Sequence, residues 1–364
     1  MNPNVPYVIP SKDPVTFEIL DPSGSAPKHE GIDLPDNWIN SGVLTVAMAG
    51  ARSSGKSLYI AVVVKLLRDM LAVNRGFLNA ADEYTRRTYE ENYERPLFEE
   101  MGLMPPTPPS ANPDAYQNRP LIYDLGLQPR VNPANNEPVN QRIYLVLQDV
   151  AGEDLREEGF PERAPKLGFF RHADRIVFLY DPMAVNRIRQ LLEGTVSTNE
   201  VGRENPAMIL QNILRLMSPE RMPGIALTLS KFDMLQRLAD VDQVGSGGIQ
   251  GQTVDWQAAM SNYGASFRRE SNPPNEPFDW ADRSSMHFEI RSMLSALGAM
   301  EMLNLLETQS PTGQPVPYSC HAVSALGDSP EGDSVSRMGI APFRVLDPIR
   351  EMFAQYGLFE GGKQ

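Results

Sequence analysis

Five short apolar runs punctuate the chain, each ending in small or polar residues: GVLTVAMAG (42–50), IYLVLQDVAG (143–152), RIVFLYDP (175–182), IALTLSKFD (225–233) and PYSCHAVSALG (317–327). The runs are continuous rather than alternating, which predicts strands covered on both faces, as in a parallel sheet. LIYDLG (121–126) predicts a further edge strand. Between the runs the apolar spacing becomes helical. Residues 57–74 are apolar almost all round and stop at Gly76, which predicts a buried helix closed by a glycine cap. Helical spacing recurs over 205–217 and 288–307, and again in FRVLDPIREMFAQYG (343–357). In the 288–307 stretch, Ile290, Met293, Leu294, Leu297 and Met300 form a stripe expected to bury against the sheet. Strands alternating with helices predict an α/β fold: a doubly wound, mostly parallel sheet with helices on both faces.

The interruptions divide this pattern. Residues 1–41, rich in Pro, Asp and Gly, read as an extended arm or edge strand, and 42–360 as a single domain with insertions near 76–140 and 234–287. The connections 104–140, with MPPTPPSANP and VNPANNEPVN, and 244–282, with GSGGIQGQ and SNPPNEP, are expected to be irregular lids or mobile segments. No internal repeat is visible.

Composition narrows the partners. The 364 residues are 41% apolar, enough for a sizeable core. A formal charge of -13 without a Lys/Arg cluster argues against nucleic acid and anionic lipid as ligands. The amino terminus lacks a basic start followed by an apolar segment, and no run approaches the roughly 18 apolar residues that span a bilayer. The expectation is a cytoplasmic protein without stable membrane insertion. Cys320 has no partner for an internal disulfide and reads as a core residue. His29, His172, His287 and His321 lack zinc-ligand spacing and read as structural or surface residues.

The chemistry concentrates in GARSSGKS, Gly50 to Ser57, which matches GxxxxGK followed by Ser or Thr. A strand enters this loop and a helix leaves it, so backbone N–H groups from Ser53 to Leu58, Ser54 included, can converge on an anion favoured by the helix dipole. Gly50 and Gly55 permit the turn and close approach, with Ala51 and Arg52 following Gly50 in the loop between them. Lys56 is placed for the β and γ phosphates and Ser57 for Mg²⁺. Arg52 reads either as a charge-neutralising finger in cis or as a solvated rim residue.

Three downstream signals bear on which nucleotide binds. DVAGED (149–154) ends a strand, placing Asp149 toward Mg²⁺ and the Gly152 amide toward a γ phosphate. SKFD (230–233) ends another, where the Asp233 carboxylate can accept from the guanine N1 and N2 donors and the Lys231 stem can lie over the base. SAL (Ser324, Ala325, Leu326) follows the last strand, where the Ala325 amide can donate to guanine O6. All four motifs fall at the carboxyl ends of predicted strands, the ligand-binding edge of open α/β sheets.

In this constellation residues 42–357 resemble the P-loop GTPases of the translation-factor and small-GTPase class, with long insertions. The Pro-bearing segment before DVAGED and the FRVLDPIREMF stretch resemble more narrowly the bacterial double-GTPase family associated with conflict and defence gene systems. RSSGKS also resembles the P-loop of dynamin-like GTPases, in which the serine at Ser53 helps coordinate a monovalent cation such as K⁺. The resemblance implies GTP/GDP and Mg²⁺ as ligands, and a switch I threonine. Thr107 is the candidate, with Thr85 and Thr88 in the charged stretch DEYTRRTYE as rivals that read more like a solvated helix. Two positions depart from the class. Ser230 replaces the usual Asn or Thr that braces the P-loop, and Glu153 stands where many members have a water-orienting Gln. A carboxylate there either repels the γ phosphate, slowing hydrolysis, or acts as a base toward water.

The expected function is therefore a Mg²⁺-dependent GTP hydrolase that switches a protein partner, either an activating protein or a second GTPase, with nucleotide-dependent dimerisation in view. The competing expectations are a scaffold that binds GTP without turning it over, and a dynamin-like membrane GTPase. The latter lacks a long helical stalk or a lipid-binding surface.

Overall fold

The apolar runs pair side by side. The computed structural model of the chain describes residues 5–104, 107–112, 115–193, 204–240, 254–308, 310, 313–328, 334–336 and 339–360. Within them lie strands β1 (Gly42–Ala49), β2 (Asn79–Ala80), β3 (Leu121–Val131), β4 (Pro138–Gln148), β5 (Arg175–Tyr180), β6 (Gly224–Leu229) and β7 (Tyr318–Ala322). They form one sheet in the order β2-β3-β4-β1-β5-β6-β7. From β4 to β7 all neighbours are parallel; β3 is antiparallel to β4 and β2 to β3. β1 sits between β4 and β5, where the winding of the chain reverses, the place at which open α/β sheets bind ligands outside the strands' carboxyl ends.

Successive strand residues point to opposite faces, and each face has its own apolar layer. On one face Ala47, Val146, Phe178 and Leu227 pack with α3 (Pro206–Leu216), α4 (Trp280–Ala296) and α5 (Met300–Glu307), the labels following α1 (Lys56–Val73) and α2 (Glu83–Tyr89). On the other, Val46, Met48, Leu145 and Leu179 pack with α1 and α6 (Asp347–Gln355). The chain thus has the α/β, doubly wound, mostly parallel architecture the apolar runs predict. Cys320 is buried, as read from its apolar run.

Three local expectations are corrected. The connection 104–140 is not irregular throughout, because β3 and β4 form a long antiparallel hairpin with a register shift between Asp124 and Leu127. Its outer half is solvated, so the apolar signal there is weak. The buried helix closes on Arg75, which takes the left-handed conformation at φ 60°, while Gly76 N donates to Leu71 O at 2.7 Å. This is the doubly bonded helix end that usually carries glycine one residue earlier. The stretch 288–307 is two helices, α4 and α5, because Gly298 turns left-handed at φ 75° between them. Ile290, Met293, Leu294 and Leu297 are buried as expected, and Met300 is half-buried. GSGGIQGQ (245–252) lies outside the described residues, which resume at 254.

The segment before β1 is tied to the sheet. Lys12, buried, pairs with Asp174 at 2.5 Å, and Trp38 packs on Tyr144 with ring centroids 4.9 Å apart. Burial lowers the Lys12 pKa against the attraction of Asp174.

Candidate nucleotide site

The P-loop backbone is bent by the residues its sequence supplies. Gly50 has φ 140°, and a Cβ there would lie 2.4 Å from Leu179 O. Gly55 caps α1 in the left-handed region at φ 89°, and exposed Ser53 is also left-handed at φ 62°. Lys56 folds back over the loop, its Nζ donating to the carbonyl oxygens of Gly50 at 3.0 Å and Ala51 at 2.9 Å. Burial lowers its pKa to about 8, opposed by the charges of Asp149 and Glu204. Buried Ser54 Oγ has no hydrogen-bond partner among the described residues, and Leu58 packs into the apolar layer around α1.

Three hard oxygens meet at the start of α1. Ser57 Oγ lies 2.6 Å from Thr107 Oγ1 and donates to Asp149 Oδ2 at 2.9 Å. Tyr93 OH donates to the same carboxylate oxygen at 3.2 Å. Burial pushes the Asp149 carboxyl up, against Lys56 and these hydrogen bonds. The donor set fits Mg²⁺, which takes oxygen ligands and is usually held by one or two carboxylates plus phosphates. No group of three or more His, Cys, Asp or Glu able to hold a metal collects among the described residues.

The rival threonines go elsewhere. DEYTRRTYE is helical, but Thr85 and Thr88 are buried rather than solvated, and Thr85 Oγ1 accepts from Ile122 N at 3.0 Å.

After β4, the DVAGED turn lies against the P-loop. A Cβ at Gly152 would come within 2.4 Å of Arg52 N. The Arg52 side chain, half exposed, pairs with Glu153 at 2.7 Å. The Arg52 amide donates to Glu204 Oε2 at 2.8 Å, and Arg156 holds the other oxygen of that carboxylate.

At the carboxyl ends of β6 and β7 the remaining motifs meet. Ser324 Oγ donates to Asp233 Oδ1 at 2.6 Å and accepts from Gly327 N at 2.9 Å. Lys231 is left-handed at φ 51° and its Nζ donates to Asp181 Oδ2 at 2.8 Å. Ser230 Oγ is buried without a hydrogen-bond partner among the described residues. Ala325 is half-buried and Leu326 buried, both packed beside α1 and α6.

The structure thus brings Ser57, Thr107 and Asp149 together, sets Gly152 on Arg52, and joins Asp233 to Ser324. Sequence reasoning missed Tyr93, Arg156, Asp181 and Glu204. Asp181 carried a signal, an acidic residue ending the buried run RIVFLYDP. Tyr93 lies in a π-helical turn at Glu90–Glu99 that contains Pro96, which leaves no simple periodicity to read.

Residues 44–297 match the family model described as Double-GTPase 2. The protein named "Putative ESX-1 scaffolding and assembly protein SaeC" from Mycolicibacterium smegmatis is 37% identical over 326 residues, covering 89% of this chain and 78% of that protein. Among solved structures, the septin GTPase domain from Chlamydomonas reinhardtii is 9% identical with a TM-score of 0.31, over 88% of this chain and 95% of that one. The bacterial selenocysteine-specific elongation factor EF-Sec is 12% identical with a TM-score of 0.26, over 85% of this chain and 28% of that one. No helix among the described residues is long and apolar enough to cross a membrane. By the family model and its own P-loop GARSSGKS, the chain belongs to the Double-GTPase 2 family of P-loop GTPases.

Proposed function

We propose that the chain binds GTP with Mg²⁺, hydrolyses it to GDP and phosphate, and uses the exchange to switch its contacts with a protein partner. The observation that carries this reading is the meeting of Ser57, Thr107 and Asp149 at the start of α1. The P-loop amides and Lys56 bind the phosphates, and Asp233, braced by Ser324, reads the base. Ser57, Thr107 and Asp149 would hold a divalent cation, which would supply charge neutralisation at the phosphates. Thr107 and Gly152 couple the phosphates to the loops around 107 and 152, so those loops carry the switch. Arg52 and Glu153 hold each other, and release of that pair frees Arg52 to neutralise charge and Glu153 to face water.

The partner is a protein assembly, a reading supported by the M. smegmatis relative named for scaffolding and assembly. An activating protein or a second GTPase, with nucleotide-dependent dimerisation, is the form we propose for it; the place in a conflict or defence system rests on resemblance alone. A monovalent cation at exposed Ser53 is part of the same proposal and is tested by turnover in K⁺ against Na⁺. Titration of the chain with a fluorescent GTP analogue tests the binding step. GTP should displace the analogue and ATP should not; equal displacement by both contradicts the guanine assignment.

A second reading, a scaffold that binds GTP without turning it over, is favoured by the Arg52–Glu153 pair and the relative's name. Tight GTP binding without phosphate release, with or without partner, selects it.

A further inference from the structure

We infer that Glu204 is a specificity-determining residue, its carboxylate held on the P-loop amide of Arg52 so that a triphosphate must displace it and a diphosphate need not. This inference rests on the reading of the loop as a guanine-nucleotide site. Glu204 is 152 residues from Arg52 in sequence, yet its Oε2 accepts from the Arg52 amide at 2.8 Å. The carboxylate is held from behind by Arg156, through both Nε and Nη2, and its side chain is 14% exposed.

The position of that amide gives the contact its consequence. Arg52 immediately precedes Ser53, the first of the amides read as phosphate donors. Its N–H abuts Gly152, whose amide is assigned to the terminal phosphate, since a Cβ on Gly152 would lie 2.4 Å from Arg52 N. The Glu204 charge also acts on the Lys56 ammonium. One N–H serves one anion at full strength. A terminal phosphate arriving here meets a bonded carboxylate of like charge, with Glu153 a second carboxylate beside it, 3.9 Å from Arg156. Arg156 gives Glu204 a place to retreat to, because it binds the oxygen that the amide does not.

The full chain with Mg²⁺ is titrated with fluorescent GDP and a fluorescent, hydrolysis-resistant GTP analogue, as wild type, Glu204→Gln and Glu204→Asp. Removal of the charge in Glu204→Gln should tighten the triphosphate by about tenfold and the diphosphate by less than about twofold. Glu204→Asp, which keeps the charge but draws it back by one methylene, should fall between. Binding of both nucleotides to Glu204→Gln in the wild-type ratio overturns the inference and leaves the nucleotide site standing. Failure of wild type and both variants to bind either nucleotide overturns the site reading, and this inference with it.

Discussion

Ser57 and Thr107 present their hydroxyl oxygens 2.6 Å apart, across 50 residues of sequence, with the Asp149 carboxylate 2.9 Å from Ser57. The contact ties the loop around Thr107 to the first turn of α1. Thr107→Ala should weaken Mg²⁺-dependent GTP binding by about tenfold, the scale of one charge-assisted hydrogen bond. Thr85→Ala and Thr88→Ala should lower stability and leave the Mg²⁺ dependence unchanged. Nucleotide affinity measured across a Mg²⁺ series separates the three variants.

Gly152 has no room for a side chain while the DVAGED turn lies on the P-loop, because its Cβ would meet the Arg52 amide nitrogen at 2.4 Å. Gly152→Ala should push the turn and loop apart, costing about 1–3 kcal/mol. Calorimetry should show a lower Tm, and hydrogen exchange should show loss of protection at the P-loop. An unchanged Tm and unchanged protection contradict the close packing.

Lys56 gives the site a pH dependence with a defined sign. Its pKa of about 8 in the folded chain lies below the ordinary lysine value of 10.5. Between those values the unfolded chain binds more protons, so this residue's contribution makes stability rise with pH across that window, by an amount of order 3 kcal/mol. Lys56→Met should remove that rise. Phosphates restore the ammonium, so nucleotide binding near pH 8.5 should take up protons, and the uptake should fade toward pH 7. Titration calorimetry in buffers of different ionisation enthalpy reads the uptake directly.

A second buried charge cluster holds the far edge of the sheet rather than the site. Glu351 on α6 accepts from Arg283 at 2.7 Å and Ser319 at 2.8 Å, and lies 2.9 Å from His321 Nε2, both of the latter on β7. Burial alone would raise its carboxyl, but His321, Arg175 and Arg283 hold it well below the usual carboxylate range. A depressed carboxyl contributes stability above its unfolded value, and that contribution fades as pH falls below about 4.5. Glu351→Gln leaves two guanidiniums uncompensated and should cost about 3–5 kcal/mol. Urea unfolding at pH 7 and pH 4 should show a larger loss at pH 7.

The parallel strands were legible because burial on both faces leaves no alternation to misread: β1, β5 and β6 each fall inside a continuous apolar run. The outer half of the β3–β4 hairpin was not, since solvent on its faces and Pro129, Pro133 and Pro138 in its sequence resemble a loop. The site divides in the same way. Lys56, Ser57, Asp149 and Asp233 sit in compact motifs at strand ends, where local sequence and sheet topology agree. Glu204 and Tyr93 reach the site only through tertiary packing, and nothing adjacent to either residue marks it. Arg75, closing α1 in place of a glycine, shows a tertiary fold overriding a local preference.

The central claim is that Asp233 reads a guanine base whose phosphates the P-loop then helps to cleave. Phosphate release measured on GTP and XTP for wild type and Asp233→Asn tests both halves together. The wild type should release phosphate from GTP and little from XTP. Asp233→Asn exchanges an acceptor for a donor at the base and should reverse that preference, by about tenfold or more. Release that is the same for both nucleotides in both proteins contradicts the account.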